Sequence, residues 1–196
     1  MNYQIKFDNI KPLSVYATRE VTGIVEAGIA IEESGLRGLT DPSIPVHMGM
    51  TIAPRPPTLH ALDETLQGLR YGSLNQYTTD RNRIVVMRRW TGWDDPEKVV
   101  SCTDWIDALI AAGGENSEYA TLQLGHFLDA DKLPIIGQFF DPKRTTKCWC
   151  SEFTLLAHKL HGAPIDNIYL DPLHADEAMH ATGEFPAVLG YYKWSY

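Results

Sequence analysis

Apolar and polar positions alternate along NYQIKF, residues 2–7, and predict a short strand. From Arg19 to Glu33 the residues Val21, Ile24, Val25, Ala27, Gly28 and Ile31 recur close to helical spacing. A helix is expected there, weakened by Gly23 and Gly28. VHMGMTIA, residues 46–53, is an almost unbroken apolar run and predicts a buried strand. Pro54, Pro56 and Pro57 end it as a turn, and TLHAL, residues 58–62, restarts extended structure, giving a strand–turn–strand unit. RIVVMRRW, residues 83–90, is the clearest strand, rich in branched side chains. DDPEKVVSCTDWIDALIAAGG reads as a helix, with acidic residues and Pro96 at its start and Gly113–Gly114 at its end. Further helices are expected over Ser117–Asp129 and Cys150–His161, the latter stopped by Gly162 and Pro164. AVLGYYKW reads as a last strand. Central strands flanked by helices predict an α+β fold, as one domain spanning residues 1–196.

Charge narrows the function classes. Lys and Arg total 17 against 25 Asp and Glu, a net charge of -8. Such a chain repels phosphate backbones and carries no polybasic anchor, which argues against nucleic acid and membrane surfaces as partners. No apolar run reaches the length of a membrane span. MNYQIKFDNIKPLSVYA lacks the apolar region of a signal peptide, so synthesis in the cytoplasm without export is expected. Three cysteines, Cys102, Cys148 and Cys150, suit a reducing compartment.

Cys150 opens a predicted helix. Unpaired N–H groups and the positive dipole end stabilise a thiolate there and can hold an oxyanion on an attacked carbonyl. A cysteine met alone is more often a small buried apolar residue than a nucleophile. The helix start, the polar Ser151–Glu152 that follows and a matching histidine motif tilt the balance to Cys150. Cys148 lies two residues earlier, in an extended segment, and Cys102 falls within a helix as a packing residue. A zinc site on Cys148, Cys150 and histidines is the weaker reading, because C-x-C without a second paired cluster is a poor metal signal. His47 lies in PVHMGMTIA and His60 in TLHAL, across the proline turn. Paired as a hairpin, the strands would set the two imidazoles side by side. His60 could then accept from His47 and fix its tautomer.

These segments resemble a known family. V-H-M-G-M-T-I resembles the H-x-G-I strand of circularly permuted NlpC-type (YiiX-like), papain-related cysteine hydrolases. W-C-S-E-F-T-L-L-A-H resembles their C-S-E-L-V segment, which opens the catalytic helix. T-L-H-A-L is similar to the strand carrying the third polar residue, a histidine in the related lecithin:retinol acyltransferase-like group. IIGQFFD and IYLDPLHADEAMHATGEF match the segments on either side of the catalytic helix. The resemblance spans roughly residues 40–190, and histidine before cysteine is the permuted order. Two departures stand out. Phe140 replaces a family tyrosine, and the N-terminal G-D-I-I-type strand is missing, with LSVYA in its place.

The resemblance implies a papain-like fold: a mainly antiparallel sheet or small barrel flanked by helices. It implies a cysteine peptidase or amidase with Cys150 as nucleophile, His47 as base about 4 Å away and His60 as orienting residue. No metal and no organic cofactor is required. The implied substrate is an amide in a peptidoglycan stem peptide or another acyl-amide. A virion-associated phage enzyme, with virion or tail proteins as partners, would reach the wall without an export signal. The competing readings are a non-catalytic structural or binding domain on the same fold, motivated by Phe140, and a lipid acyltransferase or thioesterase. Asp63 or Glu64 is the next candidate for the third residue.

Overall fold

A computed structural model describes residues 3–5, 10–20, 40–41, 43–55, 58–65, 68–77, 82–111, 150–188 and 191–193. The strands are β1 (Tyr3–Ile5), β2 (Val15–Glu20), β3 (His47–Arg55), β4 (Thr58–Thr65), β5 (Gly68–Ser73), β6 (Asn82–Arg88) and β7 (Tyr191–Lys193). The helices are α1 (Pro96–Ala111), α2 (Cys150–Leu160) and α3 (Pro172–Ala181), with 3-10 turns at Leu74–Tyr77 and Thr91–Asp94. One sheet has the order β5-β4-β3-β2-β6, every pair antiparallel, and β1 pairs with β7 apart from it. The class is therefore α+β. Among the described residues no helix is long and apolar enough to cross a membrane.

Several sequence expectations change. Arg19 and Glu20 belong to β2, not to a helix, because both pair with β6, opposite Arg83 and Asn82. Ladder pairing there prevails over a helical spacing that starts only at Val21. The remainder of that predicted helix, the helix over Ser117–Asp129, Phe140, Cys148 and Trp149 all lie outside the described residues. Strand β5 was hidden in a polar, glycine-containing stretch, GLRYGS. Helix α3 was missed although Asp171 and Pro172 mark its start: the Asp171 side chain accepts from the His174 N–H as N-cap, and Pro172 follows.

Strand β2 is buried on both faces, and the pleat of β2 and β3 sorts the core in two. Cross-strand partners share a face and neighbours along a strand alternate. Val15 pairs with Met50 and Ala17 with Met48, and these belong to the large cluster with Ile52, Cys150, Phe153, Leu155, Ala157, Ala175 and Met179. That face carries α2 and α3. Tyr16 pairs with Gly49 and Met87, and Thr18 with Ile84. Tyr16, Met87 and Ile84 join Ile10, Leu74 and Tyr77 in a second cluster on the opposite face.

Leu13 holds a left-handed backbone (φ 61) ahead of β2, which a non-glycine residue tolerates only when its surroundings fix it. Its N–H donates to the Thr51 carbonyl at 2.6 Å, and its side chain is fully buried. Thr51 Oγ1 donates to the Lys11 carbonyl at 2.8 Å and accepts from the Ser14 N–H at 3.0 Å. Helix α3 is clamped to β6 by a two-pronged ion pair, Arg88 Nε to Asp176 Oδ1 at 2.5 Å and Arg88 Nη2 to Asp176 Oδ2 at 3.1 Å.

The turn after β6 packs Trp90 over Gly92, and a Cβ at Gly92 would overlap the indole. Trp90 is 3 % exposed and cannot swing into solvent without leaving the core. Gly92→Ala should therefore destabilise the protein by on the order of 2 kcal/mol through overpacking, read as a lower midpoint in denaturant titration. Leu155→Ala, at a fully buried position, should cost about 3 kcal/mol as a cavity.

Candidate active site

Cys150 is the first residue of α2, an 11-residue helix. Its carbonyl accepts from Thr154 Oγ1 at 2.9 Å. The next hydroxyl, Ser151 Oγ, donates to the Leu170 carbonyl at 2.5 Å, which fixes the helix start against the segment leading into α3. Cys150 thus has the helix-start position expected of it. Its side chain is turned inward: the residue is only 2 % exposed and belongs to the cluster of Met48, Met50 and Phe153. Cys102 is also a buried thiol, and burial pushes its pKa up to about 12, so it is a packing residue without nucleophilic character.

Helix α2 packs on β3 and also touches β4, the strands that carry the two candidate histidines. The pleat nevertheless separates His47 from Cys150. His47, the first residue of β3, pairs with Thr18, while Met48 pairs with Ala17 on the helix side. By alternation the His47 side chain lies on the face of Tyr16, Thr18 and Gly49, opposite the cluster that holds Cys150.

The ladder does not set His47 directly opposite His60. Two imidazoles at 47 and 60 face each other only if the hairpin turns between residues 53 and 54. The ladder instead runs on through Pro54 and Arg55, with Pro54 opposite Leu59 and Arg55 opposite Thr58. His60 consequently pairs with Ala53, six residues along β3 from His47, or about 20 Å at strand rise. Continuing the register from Met50–Leu62 brings Asp63 level with Gly49 and Thr65 level with His47.

Sequence reasoning missed two arrangements. Asp171, 6 % exposed, pairs its second carboxylate oxygen with His174 Nδ1 at 2.5 Å, a carboxylate–imidazole couple of the kind that fixes a tautomer. Pro172, Ala175 and Met179 are the buried residues of α3. His174 stands on the side of the helix turned away from them, with its side chain 51 % exposed. The couple therefore does not face the cluster holding Cys150. The signal for it was the Asp-Pro helix start.

The second arrangement is an aromatic cluster around His158, on the same helix as Cys150. Its ring centroid lies 5.2 Å from that of Trp93, 5.3 Å from Phe185 and 6.5 Å from Trp90. His158 Nδ1 lies 2.7 Å from the Thr154 carbonyl, so Nδ1 carries the donated proton. Its Nε2 is buried with no hydrogen-bond partner among the described residues. Burial lowers the imidazole pKa to about 4, opposed by the Thr154 carbonyl and reinforced by His161. The helical spacing 150, 154, 158 was visible in the sequence, but its tertiary neighbours were not.

Among the described residues no group of three or more His, Cys, Asp or Glu side chains could hold a metal ion. Comparison with known proteins finds no match for the chain among protein-family models, curated proteins or solved structures.

Proposed function

We propose that this chain is a cysteine hydrolase with Cys150 as its nucleophile, acting on an amide bond such as those of peptidoglycan stem peptides. One observation carries the reading: the helix that Cys150 opens lies on β3 and β4, the strands of the histidine motifs. The N–H groups of the first turn of α2 supply the field for a thiolate and the donors for an oxyanion. The thiolate attacks the carbonyl and forms a thioester, the leaving amine takes a proton, and water then releases the acyl group. The proton carrier must stand on the helix side of the sheet. His47 meets that condition only if β3 presents its other face to α2, and His60 is out of register with it. A papain-like arrangement, a virion-associated setting and tail proteins as partners belong to the same proposal and rest on the sequence resemblance.

A second reading has its own support. Cys150 is 2 % exposed, and by strand alternation His47 falls on the face opposite Met48 and Met50, a pattern that suits a non-catalytic structural or binding domain on this scaffold. Thiol chemistry separates the two. For the hydrolase, iodoacetamide should label Cys150 at least ten-fold faster than Cys102 at pH 6, and Cys150→Ser should abolish stem-peptide hydrolysis. Equal, slow labelling of both cysteines without hydrolysis would establish the non-catalytic domain.

Histidine variants test the strand geometry. With β3 placed as described, His47→Ala should change the Cys150 labelling rate by less than about two-fold, since the imidazole is on the far face. A ten-fold slowing would show that His47 reaches the thiol. If His47 does reach the thiol, His60→Ala should leave that effect within about two-fold, because the register takes residue 60 about 20 Å along the strand from His47. Circular dichroism of each variant checks that the fold is retained.

A further inference from the structure

Three segments meet at His158. The turn after β6 brings Trp90 and Trp93, α2 brings His158 itself, and the strip leading back to β6 brings Phe185. That strip is stitched to the end of β6 by Thr91 N–H to the Glu184 carbonyl at 2.9 Å, Arg89 N–H to the Pro186 carbonyl at 3.2 Å and Val188 N–H to the Met87 carbonyl at 2.7 Å. At the centre sits an imidazole with only one of its two nitrogens hydrogen-bonded. One nitrogen donates to Thr154, and the other is a buried acceptor with nothing to accept from among the described residues. Protonation would place a second N–H, with a charge, against indole and phenyl carbon.

We propose that the Trp90–Trp93–His158–Phe185 cluster is an acid-released clasp: a proton on His158 parts the C-terminal half of α2 from the turn after β6 while the five-stranded sheet stays formed.

The charged groups around the cluster do not offset that proton. Glu184 accepts from Trp90 Nε1 at 2.8 Å. Asp94 is taken by Arg89 at 2.7 Å, and Asp176 by Arg88 at 2.5 Å. Of the basic neighbours, His161 adds to the penalty. Lys98 Nζ lies 4.9 Å from the Trp90 ring centroid, and the His161 ring lies 5.5 Å from Trp93. His180 Nδ1 lies 3.4 Å from Arg88 Nη1, and Lys159 Nζ donates to the Asp166 carbonyl at 2.7 Å. The sign follows from linkage. The closed form holds His158 at about 4 against an ordinary 6.5, so the opened form binds more protons between those values. The contribution of His158 to closure is full above pH 6.5, weakens as pH falls and loses nothing further below about 4. Between pH 7 and pH 5 the opening constant should rise about twenty-fold.

Amide hydrogen exchange on the full chain, corrected for intrinsic rates, measures that constant. The expected result is a rise of about twenty-fold from pH 7 to pH 5 in residues 156–163 and 89–93, with β2 and β3 unchanged. His158→Leu should abolish the rise, and His161→Gln should keep most of it. A rise that persists in His158→Leu, or no rise in the wild-type chain, would overturn the proposal. If His158→Leu fails to fold, the wild-type ring decides by NMR titration. Protonation coincident with opening supports the clasp, and a ring titrating near 6.5 in the closed form refutes it.

Discussion

The two-residue period of β3 is the constraint on which the rest of the arrangement depends. Met48, Met50 and Ile52 of this strand belong to the larger apolar cluster, and the positions between them alternate to the face of the second cluster. Met48, Met50 and Ile52 anchor α2, while His47, Gly49 and Thr51 alternate to the other side. A one-residue slip of β3 would exchange the two sets, burying His47 beneath α2 and expelling three large apolar side chains from the larger core. At roughly 1.5–3 kcal/mol for each such side chain, the observed parity is strongly preferred over its alternative. Which face of β3 meets α2 is therefore decided by packing.

The sequence made some of this visible. β3, β6, α1 and α2 were legible because each has a strong local signal: a branched apolar run, or helical spacing bounded by Pro96 or by Gly162 and Pro164. β5 was not, since GLRYGS has neither clean alternation nor a branched run. The position of Cys150 at a helix start was legible, because capping and dipole effects are local. The face presented by His47 and the partner of His60 were not. Those depend on where a hairpin turns and which side of the sheet receives a helix, and a strand apolar at nearly every position gives no parity signal. The three prolines pointed to a turn, but Pro54 remains within the ladder opposite Leu59.

Helix α2 combines two opposed environments. Its first turn offers N–H groups suited to an anion, and its last turns carry a neutral imidazole enclosed by aromatic rings. Both ends are held by contacts from distant sequence, Ser151 to Leu170 at the start and His158 to Trp93 and Phe185 further on. The helix is thus positioned by tertiary neighbours at each end, as short helices generally must be.

The pairing of β1 with β7 joins Tyr3 to Lys193 and Ile5 to Tyr191. Tyr3 and Lys193 are 190 residues apart in sequence (193 less 3), a far longer separation than any within the five-stranded sheet. During synthesis, residues 3–5 must wait for roughly 190 further residues before meeting their partner. The local β3–β4–β5 meander needs no such delay, and low-separation contacts of this kind form fastest. Closure of the two-stranded ribbon is accordingly a late event, and until then its first strand is an exposed backbone edge available to other chains.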